Sequence, residues 1–243
     1  PLLPGKKGKI IFTHMDGMEW QRTKWGWLTR RFIRWTETLA VKYSDKLIAD
    51  HPELVKYYRD TYGKNASYIS YGTSGISPTH QLSVSPTPKT PYILILSRLE
   101  PENHLEMMIQ GFLRSGFPGR LLIAGDTAGR YANKLASKFH GQENIRFLGS
   151  IYEPGQLYHL RTGCTWYLHG HSAGGTNPSL IEAMAAGCTV LAHDNPYNRG
   201  VMESWGQYFR TADELAELLS AEPDRSRVED QMKRFSEQYS WEK

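Results

Sequence analysis

The segment of residues 169–187, HGHSAGGTNPSLIEAMAAG, restricts the fold of this chain more than any other stretch. Its run of small residues at 172–175 suits neither a helix nor a strand and predicts a turn. Asn177 is a favourable N-cap, and Pro178 is a favourable first helical residue. Strong helix formers follow and end at Gly187. The segment therefore predicts a glycine-rich turn that leads into a capped helix.

Short apolar runs at 165–168 and 188–192 predict buried strands on either side of this turn and helix. A strand, a glycine-rich turn and a helix N-terminus together are typical of an anion site. We expect free N–H groups and the helix dipole to favour a phosphate oxygen here, the donors being Thr176, Ser179 and Leu180.

Glu182 lies one turn inside the predicted helix, too far from its start to act as a cap. A carboxylate accepts hydrogen bonds, and the diol of a ribose is a suitable donor beside a bound diphosphate. In the alternative interpretation, Glu182 is an exposed helix glutamate and the glycines only turn the chain.

Composition limits the partners. The 243 residues suffice for one large domain or two small ones, and the net charge of +4 suits an anionic small ligand or a membrane surface better than duplex DNA. The two cysteines form no CxxC motif and predict small core residues in a reducing, cytoplasmic compartment. No apolar run has the length of a membrane span, and the GxGxxG and GxxxxGK[ST] phosphate-binding motifs are absent from the sequence.

Periodicity predicts an α/β protein of two domains. Residues 1–72 form a partial first domain, residues 73–90 a linker rich in Ser, Thr and Pro, and residues 91–243 a second domain. In the first domain we predict strands at 9–14, 45–49 and 67–71 and helices at 28–43 and 52–62.

The second domain alternates strands and helices at the spacing of a parallel Rossmann-like sheet with right-handed crossovers. Besides the strands that flank the glycine turn, we predict strands at 92–97, 121–124 and 145–148 and helices at 105–113, 131–139, 154–160 and 227–239. A further helix, capped by Thr211 or Asp213, should end at Ser220.

The helix predicted at 28–43 is amphipathic, with Leu28, Phe32, Trp35 and Leu39 on one face and basic residues on the other. Such a helix packs its apolar face on a sheet in most proteins. A basic helix flanked by tryptophans can also lie on anionic lipid, and Trp25, Trp27, Arg30, Arg31 and Arg34 support that second interpretation.

Polar groups follow the strands of the second domain, where an open parallel sheet binds its ligand. Arg98 follows the first strand, Gly125-Asp126 the second and residues 149–151 the third. We expect these turns and the glycine turn to converge, with Arg98 offering phosphate a fork of donors; otherwise Arg98 is a surface arginine. The HxH pair His169 and His171 has no third ligand in a recognisable pattern, so we expect no metal.

These residues carry a resemblance. Arg98 after a strand, Gly149 after Phe-Leu, and Glu182 eight positions beyond Gly174 resemble the donor half of retaining GT-B glycosyltransferases of family 4. That family has two glutamates eight positions apart, and here Gly174 stands at the first. It also tends to have a lysine shortly after the arginine, where this chain reads Glu102-Asn103-His104.

Both departures resemble one subgroup, the bacterial rhamnosyltransferases of polysaccharide assembly, whose first domain carries a DGxEWxRxKW motif. Residues 16–25 match this motif without a gap, and RLEPEN at 98–103 and GGTNPSLIEAM at 174–184 are also similar. His14 stands about where the larger family keeps a histidine of its catalytic site.

The resemblance implies a GT-B-like fold and a transfer of sugar, rhamnose in the subgroup, from a dTDP- or UDP-sugar to a saccharide or lipid-linked saccharide acceptor with retention, without a cofactor or metal. It assigns catalytic roles to Asp16, His14, Arg22 and Lys24. Donor binding falls to Arg98, Asn103, Gly149, Ile151, Gly174, Gly175, Thr176, Asn177, Ser179 and Glu182.

A GT-B enzyme has two full Rossmann-like domains, and residues 1–72 supply about half of the first, so we expect a chain truncated at its N-terminus. A nucleotide-sugar-binding module without turnover is the second function that we keep open. We expect a cytoplasmic protein with a peripheral contact at the inner face of the membrane.

Overall fold

A computed structural model describes residues 8–22, 24–73 and 90–241. The chain divides into two compact units, the first of which comprises Pro1–Tyr71 and Ala173–Thr176. The second comprises Gly72–Ser172 and Asn177–Lys243. Residues 74–89 of the predicted linker lie outside the described residues, and the predicted domain limits stay a prediction.

The first unit is built on a small parallel sheet. Its strands are β1 (Phe12–His14), β2 (Lys46–Ala49) and β3 (Ala66–Tyr68), which pair in the order β1-β2-β3. Helix α1 (Trp27–Tyr43) and helix α2 (Pro52–Tyr62) connect them. The predicted elements are confirmed, and β1 and β3 are shorter than expected.

The second unit contains a parallel sheet of six strands. They are β4 (Tyr92–Leu96), β5 (Arg120–Ala124), β6 (Ile145–Gly149), β7 (Trp166–His169), β8 (Val190–His193) and β9 (Gln207–Phe209). Their order is β6-β5-β4-β7-β8-β9. The strands that follow β4 in the chain therefore lie on one side of it up to β6 and on its other side from β7 onward. Ligands of open parallel sheets bind outside the carboxyl ends of the strands, at the point where this change of side occurs.

Seven helices cross between these strands or follow them within the described residues. They are α3 (Leu105–Ser115), α4 (Arg130–Lys138), α5 (Pro154–Gly163), α6 (Pro178–Ala185), α7 (Pro196–Met202), α8 (Ala212–Ser220) and α9 (Val228–Gln238). The sequence analysis had no counterpart for α7 and β9. Both are short, although Asn195 before Pro196 is a clear start signal that caps α7 with its side chain.

The core of the second unit lies between the sheet and α3, α4 and α8. Strand β4 is buried at every residue, as a central strand covered on both faces must be. The predicted core cysteines are confirmed: Cys164 and Cys188 are free thiols, each 1 % exposed.

Helix α1 does not pack its apolar face on the sheet, which was the first of the two interpretations of this amphipathic helix. Leu28, Phe32 and Trp35 are 65 %, 62 % and 55 % exposed, so their face does not pack on the sheet of the unit. The buried residues of α1 are instead Glu37 and Val41. A carboxylate can occupy the interior because its hydrogen bonds are satisfied there, as described below. No helix of the described residues is long and apolar enough to cross a membrane.

Candidate nucleotide and acceptor sites

The loops at the carboxyl ends of β4, β5 and β6 lie against one another. The N–H of Ser97 donates to the carbonyl of Ala124 at 3.1 Å, and the N–H of Gly125 donates to the carbonyl of Gly149 at 2.9 Å. Gly125 must lack a side chain, since a Cβ there would lie 2.0 Å from the Ser97 carbonyl oxygen. Backbone contacts thus bring together three of the four turns that were expected to converge, and the glycine turn is not among them.

These loops enclose a pocket of about 260 Å³ within the second unit. Predicted site residues Arg98, Ile151 and Ser179 line it, and so do Asp126 and Arg161. The side chain of Ser179 is held by the sheet, because its Oγ lies 2.6 Å from the buried hydroxyl of Tyr167 on β7. The pocket has the position and size that suit one end of a small ligand.

Arg98 is an exposed arginine at the rim of this pocket. Its carbonyl accepts the Nδ2–H of Asn103 at 2.7 Å. Asn103 is 3 % exposed, and its Oδ1 lies 2.9 Å from Nδ1 of His171. Both ends of this amide are therefore used inside the protein, where Asn103 fixes the loop that carries Arg98.

The N-terminus of α6 differs from the expectation of free donors. The N–H of Ser179 donates to Oδ1 of Asn177 at 2.9 Å, and the N–H of Leu180 donates to the Asn177 carbonyl at 3.0 Å. The backbone of Thr176 lowers the pKa of the Asp50 carboxyl. The prediction of unpaired N–H groups is wrong for Ser179 and Leu180, because Asn177 accepts from both.

Glu182 is neither a free ligand nor an isolated surface glutamate. Its Oε2 accepts a hydrogen bond from the guanidinium of Arg161 in a salt bridge between α5 and α6. The Arg161 side chain is 6 % exposed and that of Glu182 is 33 % exposed, so the pair has a buried cation and a carboxylate that reaches the surface. The sequence analysis missed Arg161, which lies in an unremarkable helix.

The histidines of this edge take part in contacts within the protein. His104 and His193 stack with centroids 4.0 Å apart, and His104 Nε2 lies 3.0 Å from Ser172 Oγ. Burial lowers the pKa of His169 to about 3 and that of His193 to about 4. Across the described ranges, no group of three or more His, Cys, Asp or Glu residues is arranged to hold a metal ion.

The first unit carries acidic groups at the carboxyl ends of its strands. His14 ends β1, Asp16 follows it, and Asp50 follows β2. The hydroxyl of Tyr71 donates to Asp16 Oδ1 at 3.4 Å. Asp16 and His14 are exposed, so they are accessible to a ligand, whereas Asp50 is 2 % exposed.

Asp50 lies under the glycine turn that belongs to the same unit. Its carbonyl accepts the Thr176 hydroxyl at 2.6 Å, and its Oδ1 is buried without a hydrogen-bond partner among the described residues. Burial raises the pKa of Asp50 from 3.8 to about 6; the backbone of Thr176 lowers it, and the charge of Asp16 raises it further. The sequence analysis passed over Asp50, although it follows a strand just as Arg98 does.

Gly174 and Gly175 have φ values of +75° and +52°, which suit glycine. A Cβ on Gly174 would lie 3.0 Å from the Met18 nitrogen and 3.1 Å from the Gly17 Cα. The position where the resembled family has a glutamate is therefore crowded by backbone, which would have to shift by a few tenths of an ångström to admit a side chain.

The DGxEWxRxKW motif forms a network of its own. Glu19 pairs with Arg22 at 2.5 Å and with Lys24 at 3.7 Å, and it accepts the Trp25 Nε1–H at 3.1 Å. Trp20 donates its Nε1–H to Glu37 at 3.0 Å. These contacts give the motif a structural role, and the catalytic roles assigned to Arg22 and Lys24 stay predictions.

Glu37 is the buried acceptor of the first unit. The hydroxyls of Tyr57 and Tyr62 each donate to its Oε1 at 2.8 Å, beside the bond from Trp20 to Oε2. Three donors, two from α2 and one from the segment before α1, compensate for the burial of this carboxylate.

Two family models match this chain. Residues 80–235 match the model described as "Glycosyl transferases group 1", and residues 5–74 match a domain of unknown function, DUF1972. The alpha-monoglucosyldiacylglycerol synthase of Streptococcus pneumoniae (strain ATCC BAA-255 / R6) is 26 % identical over 144 residues, which are 54 % of this chain and 32 % of that protein.

Solved structures share the fold. The pneumococcal O-GlcNAc transferase GtfA, in complex with UDP and GlcNAc, has a TM-score of 0.67 at 12 % identity and covers 97 % of this chain. Sucrose-phosphate synthase from Thermosynechococcus elongatus has a TM-score of 0.73 at 17 % identity over 95 % of this chain. Anabaena Alr3699/HepE, in complex with UDP and glucose, has a TM-score of 0.72 at 17 % identity over 96 %.

These likenesses confirm the predicted α/β, GT-B-like fold with parallel sheets. The matches span 50 %, 64 % and 68 % of those three structures, so this chain corresponds to half to two thirds of their length.

Proposed function

The chain belongs to the group 1 glycosyl transferases, and we propose that it transfers a sugar from a nucleoside diphosphate sugar to a saccharide acceptor. The observation that carries this proposal is the pocket at the carboxyl edge of the six-stranded sheet, which is lined by Arg98, by Ser179 at the start of α6 and by Arg161, the salt-bridge partner of Glu182. Arg98 suits a phosphate, the dipole of α6 favours negative charge, and Glu182 suits ribose hydroxyls.

The N-terminus of α6 attracts a phosphate through the helix dipole. Its N–H groups become donors to the phosphate only when the phosphate replaces the Asn177 cap. Since the N–H groups of Ser179 and Leu180 are taken by Asn177, a phosphate oxygen gains them only by displacing that cap. Arg98 is exposed at the pocket rim and needs no such exchange, so we assign it the first contact with the diphosphate.

Calorimetric titration with dTDP-, UDP- and GDP-sugars tests this assignment. Arg98→Ala should cost on the order of 2 kcal/mol of nucleotide affinity, the value of a charge-assisted contact. Arg146→Ala, which removes another exposed arginine of the same sheet, is the matched control and should leave the affinity unchanged. Unchanged diphosphate binding by the Arg98 variant would exclude the assignment.

We propose dTDP-rhamnose as the donor and retention as the stereochemical course, both on the resemblance to rhamnosyltransferases of polysaccharide assembly. The backbone that crowds the side-chain position of Gly174 supports a donor that needs no carboxylate there. A 6-deoxy sugar tolerates that loss better than glucose. The same titrations test the proposal, and tighter binding of UDP-glucose than of dTDP-rhamnose would contradict it.

For the acceptor we propose the acidic edge of the first unit. In a reaction with retention the departing diphosphate guides the acceptor oxygen, and the protein stabilises the diphosphate and orients the acceptor. Asp16 is exposed and lies beside the Tyr71 hydroxyl, so we assign it the contact with the acceptor hydroxyl, with His14 as the second choice.

Asp16→Asn should keep donor affinity and lose most of the turnover, measured by single-turnover transfer from labelled donor with the unsubstituted parent as the reference. The matched control is Asp60→Asn, an exposed aspartate of α2. Turnover within a few-fold of the parent would leave Asp16 a turn residue, and no turnover in the parent itself would favour a binding module.

We also propose that the exposed face of α1 contacts anionic lipid at the membrane. Trp27, Leu28, Phe32 and Trp35 are all more than half exposed, and Arg31 is exposed among them. Trp25 and Arg30 contribute less than expected. Trp25 donates to Glu19, and Arg30 donates to the Arg22 carbonyl at 3.2 Å, so both are held within the unit.

A further inference from the structure

Arg161 is a buried cation in the wall of the pocket that we assign to the nucleotide. Its side chain is 6 % exposed. A guanidinium does not lose its proton in proteins, so a buried arginine needs an anion close by. Glu182 is that anion, and the bond crosses from α5 to α6.

The backbone of Arg161 is fixed from the other side. The thiols of Cys164 and Cys188 both donate to its carbonyl, at 3.0 Å and 3.3 Å. Burial raises the pKa of Cys188, so its thiol stays protonated and remains a donor. The guanidinium therefore projects from a fixed position of the main chain, and its geometry toward Glu182 is set before any ligand arrives.

Only one oxygen of Glu182 is used by this pair. Oε2 accepts from Arg161, whereas Oε1 has no hydrogen-bond partner among the residues that the structure describes. A long carboxylate side chain that is one third exposed would otherwise sample several rotamers. The arginine restricts this freedom and leaves Oε1 as an acceptor atom that the salt bridge does not use.

We propose that Arg161 is a positioning residue that orients Glu182 for a hydroxyl of the nucleoside's sugar, which is the 3′-hydroxyl in a dTDP donor. The inference rests on the proposed function. It assigns the recognition of that hydroxyl to the pair and not to Glu182 alone. Direct binding of phosphate by Arg161 is disfavoured because the group is buried and one of its amino groups already donates to Glu182.

The test compares dTDP with 2′,3′-dideoxy-TDP, which keeps the base and the diphosphate and lacks the 3′-hydroxyl. Calorimetry on the parent should show at least about tenfold tighter binding of dTDP, since an unpaired acceptor is left with the dideoxy compound. Arg161→Met should reduce this ratio to below about threefold while the affinity for dideoxy-TDP changes little. Arg161→Lys keeps the charge and should retain part of the ratio.

Two further variants separate positioning from a general loss of fold. Arg225→Met removes an arginine that donates to the Cys164 carbonyl, next to the end of α5, and should leave the ratio unchanged. Glu182→Gln should lose the ratio by itself, and Arg161→Met added to it should change the ratio no further. Thermal unfolding identifies any variant that does not fold. If Arg161→Met does not fold, the affinity ratio of Arg161→Lys decides the test.

An equal loss of affinity for both nucleotides in Arg161→Met would overturn the proposal, because it would place Arg161 on the diphosphate. A ratio that persists in both Arg161 variants would overturn it as well. Parent protein that binds neither nucleotide would instead refute the proposed function, on which the inference depends.

Discussion

Strand β4 of the six-stranded sheet is buried at all five residues, whereas none of the three residues of β1 in the small sheet is buried. The carboxyl edge of the large sheet, which we call the donor edge, is held by backbone contacts such as that between Gly125 and Gly149. The carboxyl edge of the small sheet, the acceptor edge, has backbone contacts as well, such as that between Met15 and Ile48, and adds side-chain contacts from Tyr71 and Thr176.

This difference indicates which residues of each edge can be substituted without loss of its structure. Backbone packing needs no particular side chain except glycine where chains approach closely, so the donor edge can keep its shape while its lining residues change. Side-chain contacts need particular partners. The Glu37 cluster illustrates this for the first unit, where one carboxylate collects three donors.

The largest expected effect tests the contrast in burial. Phe112 on α3 is 2 % exposed, so Phe112→Ala should cost about 3–5 kcal/mol of unfolding free energy, measured by urea denaturation. Phe32 on α1 is 62 % exposed, and Phe32→Ala should change the free energy by less than about 0.5 kcal/mol. A comparable loss in both variants would mean that the α1 face is covered in solution.

A smaller effect concerns the buried carboxyl of the acceptor edge. The pKa of Asp50 is raised in the folded state, from 3.8 to about 6, so the native protein holds a proton there that the unfolded chain releases. Stability therefore falls as pH rises from about 4 to 6, and the loss is complete above that range.

Asp50→Asn removes this titration and should stabilise the protein at pH 8 by roughly 2 kcal/mol relative to the parent, with less gain at pH 5. Urea denaturation at the two pH values measures it. Asp60→Asn serves as the exposed control and should show no such pH dependence. An equal change at pH 5 and pH 8 would show that Asp50 is not titrating in this range.

The smallest effect concerns the exposed face of α1. Each basic residue near anionic lipid adds roughly 1 kcal/mol of binding, so Arg31→Gln should weaken flotation with anionic vesicles about fivefold. Arg146→Gln, an exposed arginine of the second unit, should not. Flotation that depends neither on anionic lipid nor on salt would contradict the membrane contact.

The sequence predicted the donor edge well because its signals are local. Asn177 and Pro178 start α6 by capping geometry, and the apolar run of β4 can only be a buried strand at this length. Asp50 could have been found by the rule that selected Arg98, since both follow a strand. Arg161 could not, because nothing in its helix distinguishes it from a surface arginine.

The sequence by itself therefore determined the succession of strands and helices, the parallel sheets and the candidate phosphate arginine, since these depend on periodicity, caps and turns within a few residues. Only the tertiary structure decided which groups are paired. It placed Arg161 on Glu182, the Thr176 hydroxyl on the Asp50 carbonyl and the apolar face of α1 at the surface, because partners distant in the chain determine these outcomes. Burial and charge pairing arise only when those partners meet, and no local pattern encodes that meeting.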